Sequence, residues 1–161
     1  MKKSMVIITT ILCLSITGCS GSTATASPTN VESKAIESSI NMDITDSMIS
    51  YDKFEILENE GTPVLRVYLT YTNNADKDSC AMDEYYINVY QNKIQCDSAF
   101  LSDENVASDN MTKGVLKDGS LQVAAEYKLQ DTTSPVTLSV EPCFNDDFAK
   151  QEMVIDITQG Q

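Results

Sequence analysis

The segment Thr62-Pro-Val-Leu-Arg-Val-Tyr-Leu-Thr-Tyr-Thr-Asn-Asn-Ala75 alternates between apolar and polar side chains. Its odd-numbered positions from Leu65 to Tyr71 are apolar or aromatic, whereas the even-numbered positions from Arg66 to Thr72 are more polar. Successive side chains of a β-strand point to opposite faces, so this period of two predicts a strand with one buried face. We expect this strand to lie at the centre of the fold.

Four later segments repeat the period of two, with turn-forming residues between them. They begin at Glu84, Leu121, Val136 and Met153, and none of them shows a convincing helical stripe. Together with the segments that precede them, they predict about seven short strands, with turns roughly every 8–12 residues. The sequence therefore predicts an all-β chain that folds as an immunoglobulin-like antiparallel β-sandwich, and not as an α/β fold.

Local signals predict how the first strands connect. Between residues 42 and 57 the apolar positions change phase, which a β-bulge near Asp52-Lys53 would reconcile. In the turn that follows, Gly61 can adopt positive φ without steric strain. We expect a hairpin around Gly61 and a second hairpin where Gln91-Asn92 reverses the chain.

The N-terminus has the pattern of an exported protein. Lys2 and Lys3 precede an apolar run that is shorter than the roughly 20 residues of a membrane-spanning helix, as in a signal peptide. The run ends in Ile16-Thr17-Gly18-Cys19, which resembles the lipobox of bacterial lipoproteins, where a diacylated cysteine becomes the mature N-terminus. The resemblance implies a lipid anchor on Cys19. An ordinary secretory signal, with no role for this cysteine, is the alternative.

These signals divide the chain into three parts. We predict a lipoprotein signal peptide at residues 1–18, the lipidated Cys19 and a flexible Ser/Thr-rich linker at residues 19–41, and the β-sandwich domain at residues 42–161. The linker has too few apolar residues to fold by itself. Two acyl chains would anchor the protein stably to the membrane. The location implied is the extracytoplasmic face of the cell membrane.

The charge of the chain argues against one class of partner. The formal net charge is −13, and loss of Lys2 and Lys3 with the signal peptide makes it −15. Such an excess of carboxylates repels the phosphates of nucleic acids. We therefore expect no nucleic-acid partner.

Several turn-and-strand motifs resemble a known family. The central strand with Thr72-Asn73-Asn74, the hairpin Tyr90-Gln-Asn-Lys93 and the segment Ala125-Glu-Tyr-Lys-Leu-Gln-Asp-Thr-Thr-Ser-Pro-Val136 are similar to an uncharacterised lipoprotein domain family of Firmicutes. That family adopts a telokin-like, immunoglobulin-type sandwich, and the resemblance covers about residues 45–158. Asp118-Gly119 departs from the usual Pro-Gly, and the cysteines lie outside the pattern. The resemblance implies fold and location, and no catalytic residue.

The residue types present exclude several kinds of active site. The chain has no histidine, which is the commonest general base and a common ligand of transition metals. It has neither a Gly-rich phosphate loop nor a Gly-x-Ser-x-Gly elbow. We predict no catalytic residue, no metal site and no cofactor, and we interpret the protein as a non-enzyme.

Carboxylates are the groups that could still support chemistry. They cluster in three loops, which contain Asp76, Asp78, Asp83 and Glu84, then Asp103, Glu104 and Asp109, then Asp146 and Asp147. Oxygen ligands of this kind suit calcium, and a pair of carboxylates can hydrolyse a glycosidic bond. The spacing of a calcium loop is missing, however, and acidic loops follow from the overall charge. We interpret the clusters as solvated loops.

Three tyrosines invite a similar question. Tyr68, Tyr86 and Tyr90 lie on the less apolar faces of their strands, where a row of tyrosines could stack against a sugar or a peptide. Tyrosine is also favoured in strands because it packs well there. We interpret these tyrosines as packing residues.

Three cysteines follow the linker, at Cys80, Cys96 and Cys143. An odd number cannot all pair within one molecule. Export permits a disulfide, and a Cys80–Cys96 bond would close the middle hairpin with about 3 kcal/mol of stabilisation in the chain-entropy model. Cys96 with Cys143 is the alternative pairing. Three scattered thiols without imidazole do not predict zinc.

Two functional classes fit these observations. We expect a cell-surface binding or accessory module that contacts an unidentified protein or glycan. The alternative is a carboxylate-dependent extracellular hydrolase acting on glycans. The candidate surface is the segment Ser102–Lys117, which is long and unpatterned and is either a crossover or a binding loop. We expect deletion of residues 103–110 to leave thermal stability nearly unchanged.

Overall fold

A computed structural model of the chain describes residues 39–160. In this part of the chain, two antiparallel sheets of four strands each pack against one another. The predicted all-β antiparallel sandwich is confirmed, with eight strands in place of about seven. The predicted signal peptide, Cys19 and most of the linker lie outside the described residues.

The first sheet is built around the segment that dominates the sequence. It contains, in spatial order, β1 (Asn41–Ile44), β2 (Ser47–Asn59), β3 (Thr62–Asn73) and β6 (Ser120–Lys128). The central segment is β3, which pairs with β2 on one side and with β6 on the other. β6 is therefore an edge strand.

The second sheet contains, in spatial order, β5 (Ile94–Gln95), β4 (Tyr85–Gln91), β7 (Val136–Pro142) and β8 (Gln151–Ile155). Because β5 has only two residues, β4 has a full-length neighbour on the β7 side alone. Two one-turn helices, α1 (Ala81–Glu84) and α2 (Val106–Asp109), precede β4 and β6 respectively. Within residues 39–160, no helix has the length and apolar character needed to cross a membrane.

The additional strand comes from the segment in which the apolar positions change phase. The chain turns at residues 45–46, so that β1 folds back on β2 with Ile44 opposite Ser47. The predicted bulge is also confirmed, because the β2–β3 register shifts between Tyr51 and Lys53. The phase change therefore has two causes, a turn and a bulge.

Both predicted hairpins are present. At the β2–β3 turn, Glu60 and Gly61 have φ angles of 51° and 79°. At the β4–β5 turn, Asn92 and Lys93 have φ angles of 52° and 67°. Two consecutive residues with positive φ are typical of the type I′ turn, whose twist matches that of the paired strands.

The hydrophobic core lies between the sheets and follows the alternation of β3. Leu65, Val67, Leu69 and Tyr71 are all fully buried, as predicted. They belong to one cluster with buried residues of the opposite sheet, including Leu138. The inner face of the first sheet is therefore occupied by packing.

Candidate functional site

A cleft of about 560 Å³ opens between β6 of the first sheet and β4 of the second. We call it the seam cleft. It is lined by Met82 of α1, residues 85–87 of β4, residues 98–100, residues 108–112 apart from Asn110, and residues 124–127 of β6. Both sheets and the crossover that connects them thus contribute to its surface.

β6 presents one unpaired backbone edge to this cleft. In an antiparallel strand, the N–H and C=O groups of one residue point to the same side, and the side alternates along the strand. The side away from β3 belongs to the even-numbered residues, because Ala99 N–H donates to Glu126 C=O and Lys128 N–H donates to Asp97 C=O, each at 2.8 Å. Ala124 has the same parity, and neither of its backbone groups has a partner among residues 39–160.

β4 presents a second edge. Cys96 N–H donates to Val89 C=O at 2.8 Å, so the odd-numbered residues of β4 face the β5 side. Because β5 is so short, Tyr85 and Ile87 face the cleft instead of a strand. The Tyr127 hydroxyl of β6 donates to Ile87 C=O, and burial raises the pKa of Tyr127, which keeps the hydroxyl protonated. This hydrogen bond ties the two edges together.

Large apolar side chains are exposed around the cleft. Phe100 is 89% exposed, and Met82 and Tyr86 are each 54% exposed. Single exposed apolar residues are common on soluble proteins, but several at one concave surface indicate an interaction site. Phe144 is also 89% exposed and does not line the cleft, so it offers a matched control.

The crossover from Ser102 to Lys117 does not project freely from the domain. Its helix α2 lies on the outer face of the first sheet, where Ala107 packs against Tyr68 and Ala124. The Asn105 side chain caps this helix by accepting hydrogen bonds from two N–H groups of its first turn, at 3.0 and 3.2 Å. This packing contradicts the expectation that residues 103–110 could be deleted without loss of stability.

A buried ion cluster holds the crossover on the sheet. Arg66 lies on the more polar face of β3, but its side chain is only 3% exposed because the crossover covers it. It lies 2.6 Å from Asp103 and 2.8 Å from Glu126. The hydrogen bond to Arg66 lowers the pKa of Asp103, and the bond to Asp103 is the main cause of the raised pKa of Arg66.

Glu126 belongs both to this ion cluster and to the lining of the cleft. One of its oxygens accepts hydrogen bonds from Arg66 Nε at 2.8 Å and from the Ser108 hydroxyl at 2.7 Å. The other accepts the Leu101 N–H at 3.3 Å. The carboxylate therefore holds two segments that border the cleft, and its oxygens are engaged by the protein itself.

The acidic loops do not converge on a metal site. Across residues 39–160, no group of three or more Asp, Glu or Cys side chains is placed to hold a metal ion. Asp109 is the other carboxylate that lines the seam cleft beside Glu126, and it is exposed. Asp103 instead pairs with Arg66, and Asp76 pairs with Lys117. The carboxylates at residues 146 and 147 lie outside the cleft lining.

The three tyrosines do not form a row. Tyr68 lies on the first sheet, is 6% exposed and donates its hydroxyl hydrogen bond to Glu55 at 2.8 Å. Tyr86 and Tyr90 lie on β4 of the second sheet, and only Tyr86 lines the cleft. The packing interpretation suits Tyr68, whereas Tyr86 belongs to the candidate site.

The structure lacks the predicted Cys80–Cys96 disulfide, because Cys80, Cys96 and Cys143 are all free thiols. Cys96 lies beside Val89, near the far end of β4, whereas Cys80 precedes α1. Four residue steps of β4 alone span roughly 13 Å, and a disulfide needs Cα atoms about 4.4–6.8 Å apart. Cys143 lies at the Cys80 end, where its N–H donates to Glu84 C=O. The alternative Cys96–Cys143 pairing meets the same obstacle.

Some residues of the cleft could be singled out from the sequence, but the cleft itself could not. Tyr86, Asp109 and the crossover were all singled out, for separate reasons. The short second hairpin is the signal that could have revealed the cleft, because only residues 94–95 pair with β4. A strand as long as β4 with so short a partner must leave part of its edge open.

Comparisons with known proteins place the chain in a family. No curated protein matches it. Among solved structures, it is similar to one described as a "putative lipoprotein from Staphylococcus aureus subsp. aureus NCTC 8325", with 13% identity, a TM-score of 0.56, and coverage of 76% of this chain and 95% of that chain. At this identity the likeness shows a shared fold alone. A family described as a domain of unknown function, DUF5067, matches residues 22–142, which is most of the chain, and the protein therefore belongs to that family.

Proposed function

We propose that this protein is a lipoprotein held at the extracytoplasmic face of the cell membrane by Cys19, and that its sandwich domain binds a ligand in the seam cleft. The motif Ile16-Thr17-Gly18-Cys19 supports the anchor. The description of the staphylococcal structure as a lipoprotein is consistent with it. Protein or glycan is the ligand class expected, and nucleic acid is not, because of the net charge.

The observation that carries the binding proposal is the convergence of exposed apolar side chains on one concave site. The volume of about 560 Å³ falls within the range of roughly 300–1,000 Å³ typical of ligand pockets. Phe100, Met82 and Tyr86 supply apolar surface, and two strand edges supply polar backbone groups. Apolar walls with a few placed polar groups are the usual composition of a binding site.

The same site offers little for catalysis. The chain has no histidine, so proton transfer in the cleft would fall to carboxylates. Of the two that line the cleft, Glu126 is bound to Arg66 and accepts two further hydrogen bonds. Asp109 alone is exposed. The apolar and backbone groups of the site are therefore more than binding requires. A catalytic pair of carboxylates, by contrast, would need Glu126, whose oxygens are already engaged by the protein.

The anchor is tested by replacing the two cysteines of the N-terminal region separately. Cys19→Ala should abolish labelling with radioactive palmitate and release the protein from membranes or block its processing. Cys13→Ala, within the apolar run, should leave labelling and membrane association unchanged. If Cys19→Ala still fractionates with membranes at the processed mass, the lipid anchor must be abandoned.

The binding site is tested by photo-crosslinking in intact cells. The photoreactive analogue p-benzoylphenylalanine replaces Phe100 in one variant and the equally exposed Phe144 in another. We expect a specific adduct from position 100 and none from position 144. Equal adducts from both positions, or none from either, would argue against the cleft as the site.

A hydrolase is the second candidate, because Asp109 and Glu126 both line the cleft. Purified chain would be incubated with peptidoglycan and with linear glycans, and release of reducing ends would be measured. If the chain releases reducing ends and Asp109→Asn abolishes this while Asp147→Asn does not, the domain is an enzyme. Absence of release under conditions where a control glycosidase acts supports the binding role.

A further inference from the structure

The chemistry of the seam cleft suits one class of ligand in particular. We propose that it binds an extended peptide segment carrying a basic side chain, and that this segment pairs with β6 as an additional strand at Ala124. The inference rests on the proposed function, because it names the ligand class for the same cleft.

The backbone at the floor of the cleft has unsatisfied hydrogen-bonding groups. Ala124 is only 3% exposed, and its N–H and C=O have no hydrogen-bond partner among residues 39–160. Nearly all buried backbone groups in folded proteins are paired with protein or water. A donor and an acceptor left open on a strand edge are the groups that a peptide main chain satisfies in β-augmentation.

The neighbours of Ala124 show how such pairing works on this edge. Residues 97–99 already run beside β6 as a short antiparallel segment, with Ser98 bridged to Tyr127. That segment uses Glu126 C=O and Lys128 N–H, and it ends before reaching Ala124. A peptide in the cleft would continue the same ladder. Outward-facing groups on β6 repeat every second residue, at roughly 6.8 Å, which matches the repeat of another strand and not that of a sugar chain.

The charge of the cleft favours a basic side chain. The cleft lining includes two carboxylates, those of Asp109 and Glu126, and no Lys or Arg side chain. Arg66 neutralises Glu126, whereas Asp109 is exposed and forms no ion pair within residues 39–160. The domain around it is strongly acidic. A Lys or Arg side chain of the peptide would complement Asp109.

The apolar surface of the cleft suits the remaining side chains of the peptide. In an added strand, alternate side chains point to opposite sides. Phe100, Met111 and Tyr86 offer apolar surface to an apolar side chain next to the main-chain contact. The expected ligand therefore has an extended conformation, at least one apolar anchor and a basic residue close to it in sequence.

The test uses the mature chain with Cys19→Ser, so that it is soluble. A displayed library of random twelve-residue peptides is selected against it, and the enriched peptides are synthesised for affinity measurements. We expect enrichment of Lys or Arg beside apolar residues. Phe100→Ala and Asp109→Asn should each weaken binding at least tenfold, whereas the matched controls Phe144→Ala and Asp147→Asn should change it less than twofold.

A main-chain readout separates strand addition from other modes of binding. N-methylation at successive peptide bonds of the selected peptide should abolish binding at alternate positions only. Amide NMR signals of Ala124 and Ile87 should shift on addition of the peptide. Failure to enrich any peptide, equal loss with the control variants, or insensitivity to every N-methyl group would overturn the inference. If the photoreactive group at position 100 captures a glycan instead, the binding function stands and the peptide inference falls.

Discussion

Replacing Arg66 by alanine should destabilise the domain far more than removing an exposed cation. The Arg66 side chain is 3% exposed, and its removal leaves the Glu126 carboxylate, at 8% exposure, without its counter-ion. Asp103 is half exposed and can be hydrated once released. The main penalty therefore comes from Glu126.

The expected magnitude follows from what Glu126 retains. Breaking a buried ion pair by removing one partner typically costs about 3–5 kcal/mol. Glu126 would keep its hydrogen bonds from the Ser108 hydroxyl and the Leu101 N–H, which offset part of the lost interaction. We therefore expect a loss near the lower limit, about 3 kcal/mol of the free energy of unfolding. Small domains have about 5–15 kcal/mol in total, so this loss is large.

The measurement is urea unfolding at pH 7 followed by far-UV circular dichroism, since the chain has no tryptophan. Lys150→Ala is the control, because it removes an ion pair with Glu152 in which both side chains are about half exposed. Exposed pairs contribute little, so this variant should resemble the parent. The double variant Arg66→Met with Glu126→Leu should recover most of the lost stability. If Arg66→Ala is no less stable than Lys150→Ala, the cluster does not stabilise the fold and the reasoning fails.

Three further predictions concern other parts of the domain. The pKa of Asp103 is lower in the folded protein than in the unfolded chain. Its contribution to stability is therefore complete above the unfolded pKa of about 4 and is lost as the pH falls through the folded pKa. Asp103→Asn should consequently flatten the acid limb of a stability–pH profile. An unchanged profile would contradict this. Glu60 and Gly61 both have positive φ, which asparagine tolerates better than glutamate and alanine tolerates worse than glycine. Glu60→Asn should therefore raise the free energy of unfolding by up to about 1 kcal/mol, and Gly61→Ala should lower it by about 1–2 kcal/mol. Melting temperatures of the two variants that shift in the same direction would refute the turn assignment. Thiol titration of the denatured, unreduced mature chain (residues 19–161) with Cys19→Ser should find three reactive groups, with Cys143 reacting first in the native protein because the other two are buried. A single reactive group would reveal a disulfide.

The strands could be predicted from the sequence because the alternation and turn residues that specify them are local features. The alternation of β3 identifies its inner face, and all four of its inward residues from Leu65 to Tyr71 are fully buried. Positive φ at Gly61 and the bulge next to Tyr51 also follow from short-range signals. The turn between β1 and β2 and the bulge in β2 were both visible as changes of phase, although the pattern does not distinguish a turn from a bulge.

The second face of β3 could not be predicted in the same way. Alternation indicates which side chains share a face, but not what covers that face. Arg66 and Tyr68 lie on the more polar face of β3, and the crossover carries Asp103 and Ala107 onto them. These contacts join residues about 40 positions apart in the chain, and no local pattern specifies them. The polar composition of the crossover suggested a free loop because its buried contacts are ionic and involve small side chains.

The seam cleft was missed for a related reason, since it forms where edges of two different sheets face each other. β4 and β6 are separated by about thirty residues, and their relative position depends on the whole topology. The residues that line the cleft have no common motif. What they share is a position at an edge that lacks a strand partner, and this property exists only after the sheets have formed.

The ion cluster and the seam cleft share Glu126, and this sharing bears on the choice between binding and catalysis. To act as a general acid or base, Glu126 would have to exchange a proton at oxygens that accept hydrogen bonds from Arg66, Ser108 and Leu101. Protonation would weaken the pair that fixes the crossover, and the border of the cleft would loosen during each turnover. For binding, the same arrangement is favourable, because a border that is already ordered loses less conformational entropy when the ligand arrives. The carboxylate that stabilises the fold through Arg66 therefore also preserves the shape of the site.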